Sequence, residues 1–209
     1  MRTYVPGRVG APPTATGPID AAAVRHQFEQ DAIWSRMVAP GDRLPAVPVV
    51  EVDLGPIHLD RLRQTGPVVL VFFHHATSAP CLAALRRYAV TLAPTLDELG
   101  AHLLAVSPQE RGRLETLKYR LGADMFVASD PRHSLIDALN IGFTSPEAAT
   151  PLGTGRSVLP FPAVVVADRR GVVRLVEVSA DRTPAATIIK AVRAIQSGPS
   201  RTESLLRLG

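Results

Sequence analysis

The chain has 209 residues, 46% of them hydrophobic, which suits one sizeable core and is short for two independent ones. Its formal net charge is +4, yet only two of its 23 basic residues are lysines. The densest arginine clusters, Arg61/Arg63 and Arg169/Arg170, are too small for a basic stripe, so no nucleic-acid partner is expected. With one cysteine, Cys81, an intrachain disulfide and a multi-thiolate zinc site are both excluded.

In chain order, residues 1–17 are rich in Pro, Gly and Thr and read as a flexible segment without the apolar centre of a secretory signal. No run reaches the ~18 apolar residues of a membrane span, so a cytoplasmic protein with no membrane partner is expected. Residues 18–41 place Ala23, Val24, Phe28, Ala32, Ile33 and Met37 at helical spacing, ending at Pro40-Gly41. Residues 46–59 read as an edge hairpin turning at Gly55-Pro56, because Pro48 would interrupt a central strand. The run 67–73, PVVLVFF, is apolar throughout, the pattern of a strand buried on both faces.

From Ser78 the period changes, and Leu82, Leu85, Ala89, Leu92, Leu96 and Leu99 fall on one helical stripe that Pro94 should kink and Gly100 should end. A second buried strand (101–107), a helix (108–122) and a short strand (125–129) follow. This alternation makes the sheet largely parallel. A helical segment (131–141) leads into a loop from 144 to 155, then a β-hairpin (162–179) around Asp168-Arg169-Arg170-Gly171. The last helix (183–196) brings Ile188, Val192 and Ile195 to one face, and 197–209 read as a flexible tail. Residues 18–196 thus form one domain. The expected fold is α/β and thioredoxin-like: a central mixed β-sheet flanked by helices, with an N-terminal helix and β-hairpin extension.

The chemistry centres on 72-FFHHATSAPCLAAL-85. Cys81 stands where a buried strand gives way to a helix, with Ser78 as the natural N-cap, so free backbone N–H groups point toward the sulfur. A helix terminus supplies only ~0.3–1 kcal/mol. A fast thiol therefore needs further positive charge, and His74, His75 and Arg156 are the candidates. Strand alternation lets only one of the two histidines face the sulfur. The bland reading is a cysteine buried as a small hydrophobe, with Ser78 a cap and no more. With one Cys and no nearby carboxylate, the His74-His75 pair is not expected to hold a metal, and no cofactor is expected.

Five landmarks in order, 41-GDRLP-45, 67-PVVLVFFHHATSAPCLAAL-85, 105-AVSPQ-109, 129-SDP-131 and 159-LPFPAVVVADRRGVVR-174, resemble the alkyl hydroperoxide reductase and thiol-specific antioxidant family, the peroxiredoxins, within the thioredoxin-like superfamily. The resemblance implies a thiol-dependent peroxidase in which Cys81 attacks a peroxide and an external thiol restores it. Ser78 takes the place of the Thr or Ser three residues before the reactive cysteine. In the related W-C-x-x-C pattern, Thr77 replaces the Trp and Ser78 the first cysteine, which makes a disulfide reductase with a natural or engineered replacement a further reading. The family's peroxidases have a Pro at the place of His74, often a Glu at the place of Ala84, and an Arg where this chain has Pro162. A proline at 162 is the thioredoxin feature and implies a cis Phe161–Pro162 bond facing the thiol. These departures also admit a redox-degenerate binding protein or an enzyme of altered chemistry. Peroxide or a disulfide as substrate, a thiol reductant and a homodimer are what the resemblance implies as partners.

Overall fold

The computed structural model describes His26, Glu29 and residues 35–122, 125–145, 148–178 and 183–198. Seven strands form one sheet in the order β2-β1-β5-β4-β3-β8-β9: β1 (Pro48–Glu51), β2 (Gly55–His58), β3 (Val68–Phe72), β4 (His102–Ser107), β5 (Phe126–Ser129), β8 (Ala163–Ala167) and β9 (Val173–Val178). Among the described residues, helices flank them: α1 (Leu59–Thr65), α2 (Ala79–Thr91), α3 (Ala93–Glu98), α4 (Arg111–Leu121), α5 (Ser134–Ala138), α6 (Ala149–Leu152) and α7 (Ala185–Ser197). A separate ribbon pairs β6 (Gly142–Thr144) with β7 (Val158–Pro160).

The apolar, largely β-branched run VVLVF makes β3 an interior strand of the sheet, buried on both faces. It pairs parallel with β4 and antiparallel with β8. Side-chain alternation divides the core in two. Val69, Val71 and Phe73 face Cys81, Leu85, Tyr88 and Leu92 of the α2 segment, together with α3, α4 and α7. Val68, Leu70 and Phe72 face Leu59 of α1 and Leu135 and Ile136 of α5. Leu85, wholly buried, is an anchor of the first layer; truncating such a leucine to alanine costs ~2–5 kcal/mol.

The expected mixed sheet with flanking helices is present, as are the edge hairpin, the buried strands and the β8–β9 hairpin. Parallel pairing is confined to β3/β4 and β4/β5, because the hairpins at both margins add antiparallel strands. The first hairpin turns at residues 52–54 instead of Gly55-Pro56; Gly55, at φ +77°, begins β2. The long helix is broken rather than kinked. Pro94 has no N–H to continue α2, so the helical run stops at Leu92 and α3 starts with Pro94 in its first turn. The segment expected as loop holds α6 and leads into β7, while α1 went unpredicted.

Of the helix expected over 18–41, His26 and Glu29 are helical and 35–41 form turns; its other residues lie outside the described ones, as do 1–17 and 199–209. No helix among the described residues is long and apolar enough to cross a membrane. The arginines scattered in sequence meet at the β8–β9 turn. Arg43 and Arg63 donate to the carbonyls of Arg170 and Arg169, and Arg169 donates to that of Thr65. Their evident role is to brace this turn against α1.

Candidate active site around Cys81

The sheet delivers the thiol segment at the C-terminal end of β3, where Phe73 N–H extends the ladder to the Val106 carbonyl at 3.0 Å. The chain then turns through 74–78 and enters α2. Ser78, extended at φ −71° and ψ 114°, is the N-cap: its Oγ accepts from Cys81 N–H at 3.4 Å, and its carbonyl accepts from Leu82 N–H at 2.9 Å. Pro80 costs nothing in this first turn, where its missing N–H would have no intrahelical partner. Cys81 is therefore the third residue of α2, beside the amide-rich end of a 13-residue helix.

Cys81 is 2% exposed and packs in the apolar layer with Val71, Phe73 and Leu85. The residues expected to activate it are distributed differently from the sequence expectation. His75 stays near the segment, its Nδ1 hydrogen-bonded to Thr77 Oγ1 at 2.9 Å. Burial holds the His75 imidazole below its ordinary value, so at neutral pH it carries no charge to offer the sulfur. His74 is 5% exposed and meets the Phe143 ring edge-on, with centroids 5.9 Å apart. Phe161, wholly buried, packs on Phe143 at 4.5 Å.

Arg156 turns its guanidinium to Asp137 of α5 at 4.0 Å. Helix α5 packs on the layer of Leu70 and Phe72, opposite that of Cys81, and this exposed ion pair links Arg156 to that helix. The Phe161–Pro162 peptide bond is trans, which corrects the cis geometry implied by the thioredoxin pattern. Trans is the lower form of an X–Pro bond by ~0.5–1 kcal/mol, and the chain reaches β8 without departing from it. Pro162 lines a small cleft with Val71, Tyr88 and Thr183, and the Tyr88 hydroxyl donates to the Thr183 carbonyl at 2.5 Å.

Sequence reasoning missed the polar groups beneath this turn. Gln109 Oε1 accepts from Ala76 N–H at 2.6 Å, and Ser107 Oγ donates to the His74 carbonyl at 3.1 Å. The signal was a Ser and a Gln directly after the wholly apolar core of β4.

A mixed sheet flanked by helices, with Cys81 in the first turn of the helix that follows β3, is the architecture of the thioredoxin-like fold. The model of the AhpC/TSA family matches residues 40–176, more than half of the chain, and the chain belongs to that family, whose members are thiol-dependent peroxidases of peroxiredoxin type. Among solved structures, the peroxidoxin BcpB of Mycobacterium tuberculosis is similar with a TM-score of 0.62 at 19% identity, over 77% of this chain and 98% of that one. Reduced Prx3 of Vibrio vulnificus in complex with hydrogen peroxide gives 0.63 at 23% identity, over 75% and 99%. The yeast mitochondrial 1-Cys peroxiredoxin gives 0.63 at 16%, over 77% and 78%. At these identities the likeness is one of fold. No curated protein matches the chain.

Proposed function

We propose that this protein reduces peroxide through Cys81 and returns to the thiol with an external reductant. The carrying observation is the place of Cys81, third in α2 and capped by Ser78, in a chain of the AhpC/TSA family. The Cys81 thiolate attacks the terminal peroxide oxygen, forming an S–O bond as the O–O bond breaks. The alkoxide, or hydroxide, leaves with a proton as alcohol or water, and sulfur, oxidised by two electrons, remains as sulfenic acid. An external thiol then forms a disulfide with Cys81, releasing water, and a second thiol displaces Cys81 to yield the oxidised reductant. The chain has no second cysteine to replace that external thiol. The yeast relative, whose thiol resolving mechanism runs via glutathione/thioredoxin systems, and the Vibrio relative bound to hydrogen peroxide support this reading by analogy.

Hydrogen peroxide should consume the Cys81 thiol far faster than free cysteine, followed by stopped-flow mixing and thiol titration; equal rates overturn the proposal. A second reading follows from the 2% exposure of Cys81 and from the burial that holds His75, in the preceding turn, uncharged. In that reading Cys81 is a core residue of a repurposed binding protein or an enzyme of altered chemistry. Replacing Cys81 by Ser then leaves the function intact, whereas the first reading requires its loss.

A further inference from the structure

We infer that Gln109 is a positioning residue for the reaction of Cys81, an inference that rests on the peroxidase reading above. Three polar side chains, Ser107, Gln109 and Ser129, are buried to 2% exposure or less at the C-terminal ends of β4 and β5. Burying such groups is costly unless each is hydrogen-bonded, and apolar residues would pack there more cheaply. Ser107 and Gln109 bond to the turn that leads into the thiol's helix, and Ser129 bonds to Gln109.

Ser107 and Ser129 face one another in the parallel register. Gln109 is held along its main chain, its N–H donating to Ser107 Oγ at 3.2 Å and its carbonyl accepting from Ser129 Oγ at 2.5 Å. So fixed, its side chain accepts the Ala76 N–H at 2.6 Å, while Ser107 Oγ takes hold of the His74 carbonyl at 3.1 Å. Residues 74 and 76 are thus tied to the end of β4, two residues short of the Ser78 cap. Within the segment between β3 and α2, Ser78 N–H donates to the His75 carbonyl at 3.2 Å and the His75 and Thr77 side chains bond at 2.9 Å; neither bond reaches the sheet. The register of the helix end against the sheet, and with it the place of the sulfur, is therefore set largely by Gln109 and Ser107. In-line attack on an O–O bond is sensitive to misplacement of this kind.

The test compares Gln109→Leu, Gln109→Glu and Ser107→Ala with the wild-type chain. It measures sulfenic acid formation with hydrogen peroxide and the pH–rate profile of Cys81 alkylation by iodoacetamide. Gln109→Leu should slow the peroxide reaction about tenfold per folded molecule, the factor that goes with one lost hydrogen bond. Gln109→Glu keeps an Oε acceptor for Ala76 N–H and should recover to within about threefold at a pH that fully ionises the thiol. Ser107→Ala, which keeps Gln109 and removes its support, should slow the reaction about threefold. Folded Gln109→Leu with the wild-type rate and profile, or Ser107→Ala indistinguishable from wild type should Gln109→Leu fail to fold, overturns the inference. If wild-type Cys81 reacts with peroxide no faster than free cysteine, the function reading fails instead. The alkylation profiles of the variants still decide whether Gln109 sets the thiol's place.

Discussion

The Ser78 hydroxyl oxygen lies 3.4 Å from the Cys81 amide nitrogen, so the residue that begins α2 is bonded to the one that carries its thiol. Ser78→Ala leaves that N–H without an acceptor and should cost ~1 kcal/mol of stability, read by urea unfolding. It should also slow Cys81 alkylation at neutral pH, since the first turn is held less firmly. Ser78→Cys examines the disulfide-reductase reading. A bond between residues 78 and 81 formed under mild oxidant, with loss of both free thiols, would support that ancestry; two persistent thiols would remove it.

His75 predicts a pH dependence of stability. Burial holds its folded-state value below the ordinary 6.5, so the unfolded chain binds more protons in the window just below 6.5. The stability from neutral His75 is fully present above 6.5 and is lost as the pH falls through the lower folded-state value. His75→Gln should flatten the acid side of a plot of unfolding midpoint against pH. It should leave Cys81 reactivity at pH 7 nearly unchanged, because a neutral imidazole supplies no stabilising charge to the thiolate.

Glu51 has no exposed surface in its place at the end of β1. Burial alone would raise its carboxyl, but the Lys118 ammonium at 2.6 Å and the amides of Leu54, Asp53 and Val127 outweigh burial and hold it below the ordinary range. Glu51→Leu strips those three amides of their acceptor and should destabilise the fold by ~3 kcal/mol, measured by denaturant titration. A change under ~1 kcal/mol would show that water replaces the carboxylate.

At the opposite end of β3, Gly171 closes the β8–β9 turn at φ +76°, and a Cβ there would stand 3.1 Å from the Arg63 guanidinium. Gly171→Ala should cost ~1–2 kcal/mol from the backbone conformation, with further loss if Arg63 must move. Thermal unfolding of Gly171→Ala and of Arg63→Ala/Gly171→Ala separates the two contributions. A double variant no less stable than Arg63→Ala would remove the backbone argument.

Periodicity made the elements of the core legible. Continuous apolar runs fit the central strands, the stripe from Leu82 to Leu96 fits helices on one face, and the change of period at Ser78 marks the start of α2. The sequence also located the thiol in the first helical turn, since cap chemistry is local and a Ser three residues before Cys81 is enough to state it. The short elements, α1, α6 and the β6–β7 ribbon, were hidden because three to seven residues carry too little periodicity to separate them from loops.

What surrounds the thiol was decided by tertiary structure. Arg156 pairs with Asp137 of α5 at 4.0 Å, and His75 stays in the turn before α2 while burial lowers its tendency to carry charge. Ser107, the last residue of β4, and Gln109, two residues beyond it, reach the turn because β3 and β4 run parallel in register. Helix caps and strand burial follow from neighbours along the chain and can be read from it. Charge at the sulfur and the hold on its turn depend on which distant side chains the sheet brings to one end, and that depends on strand order.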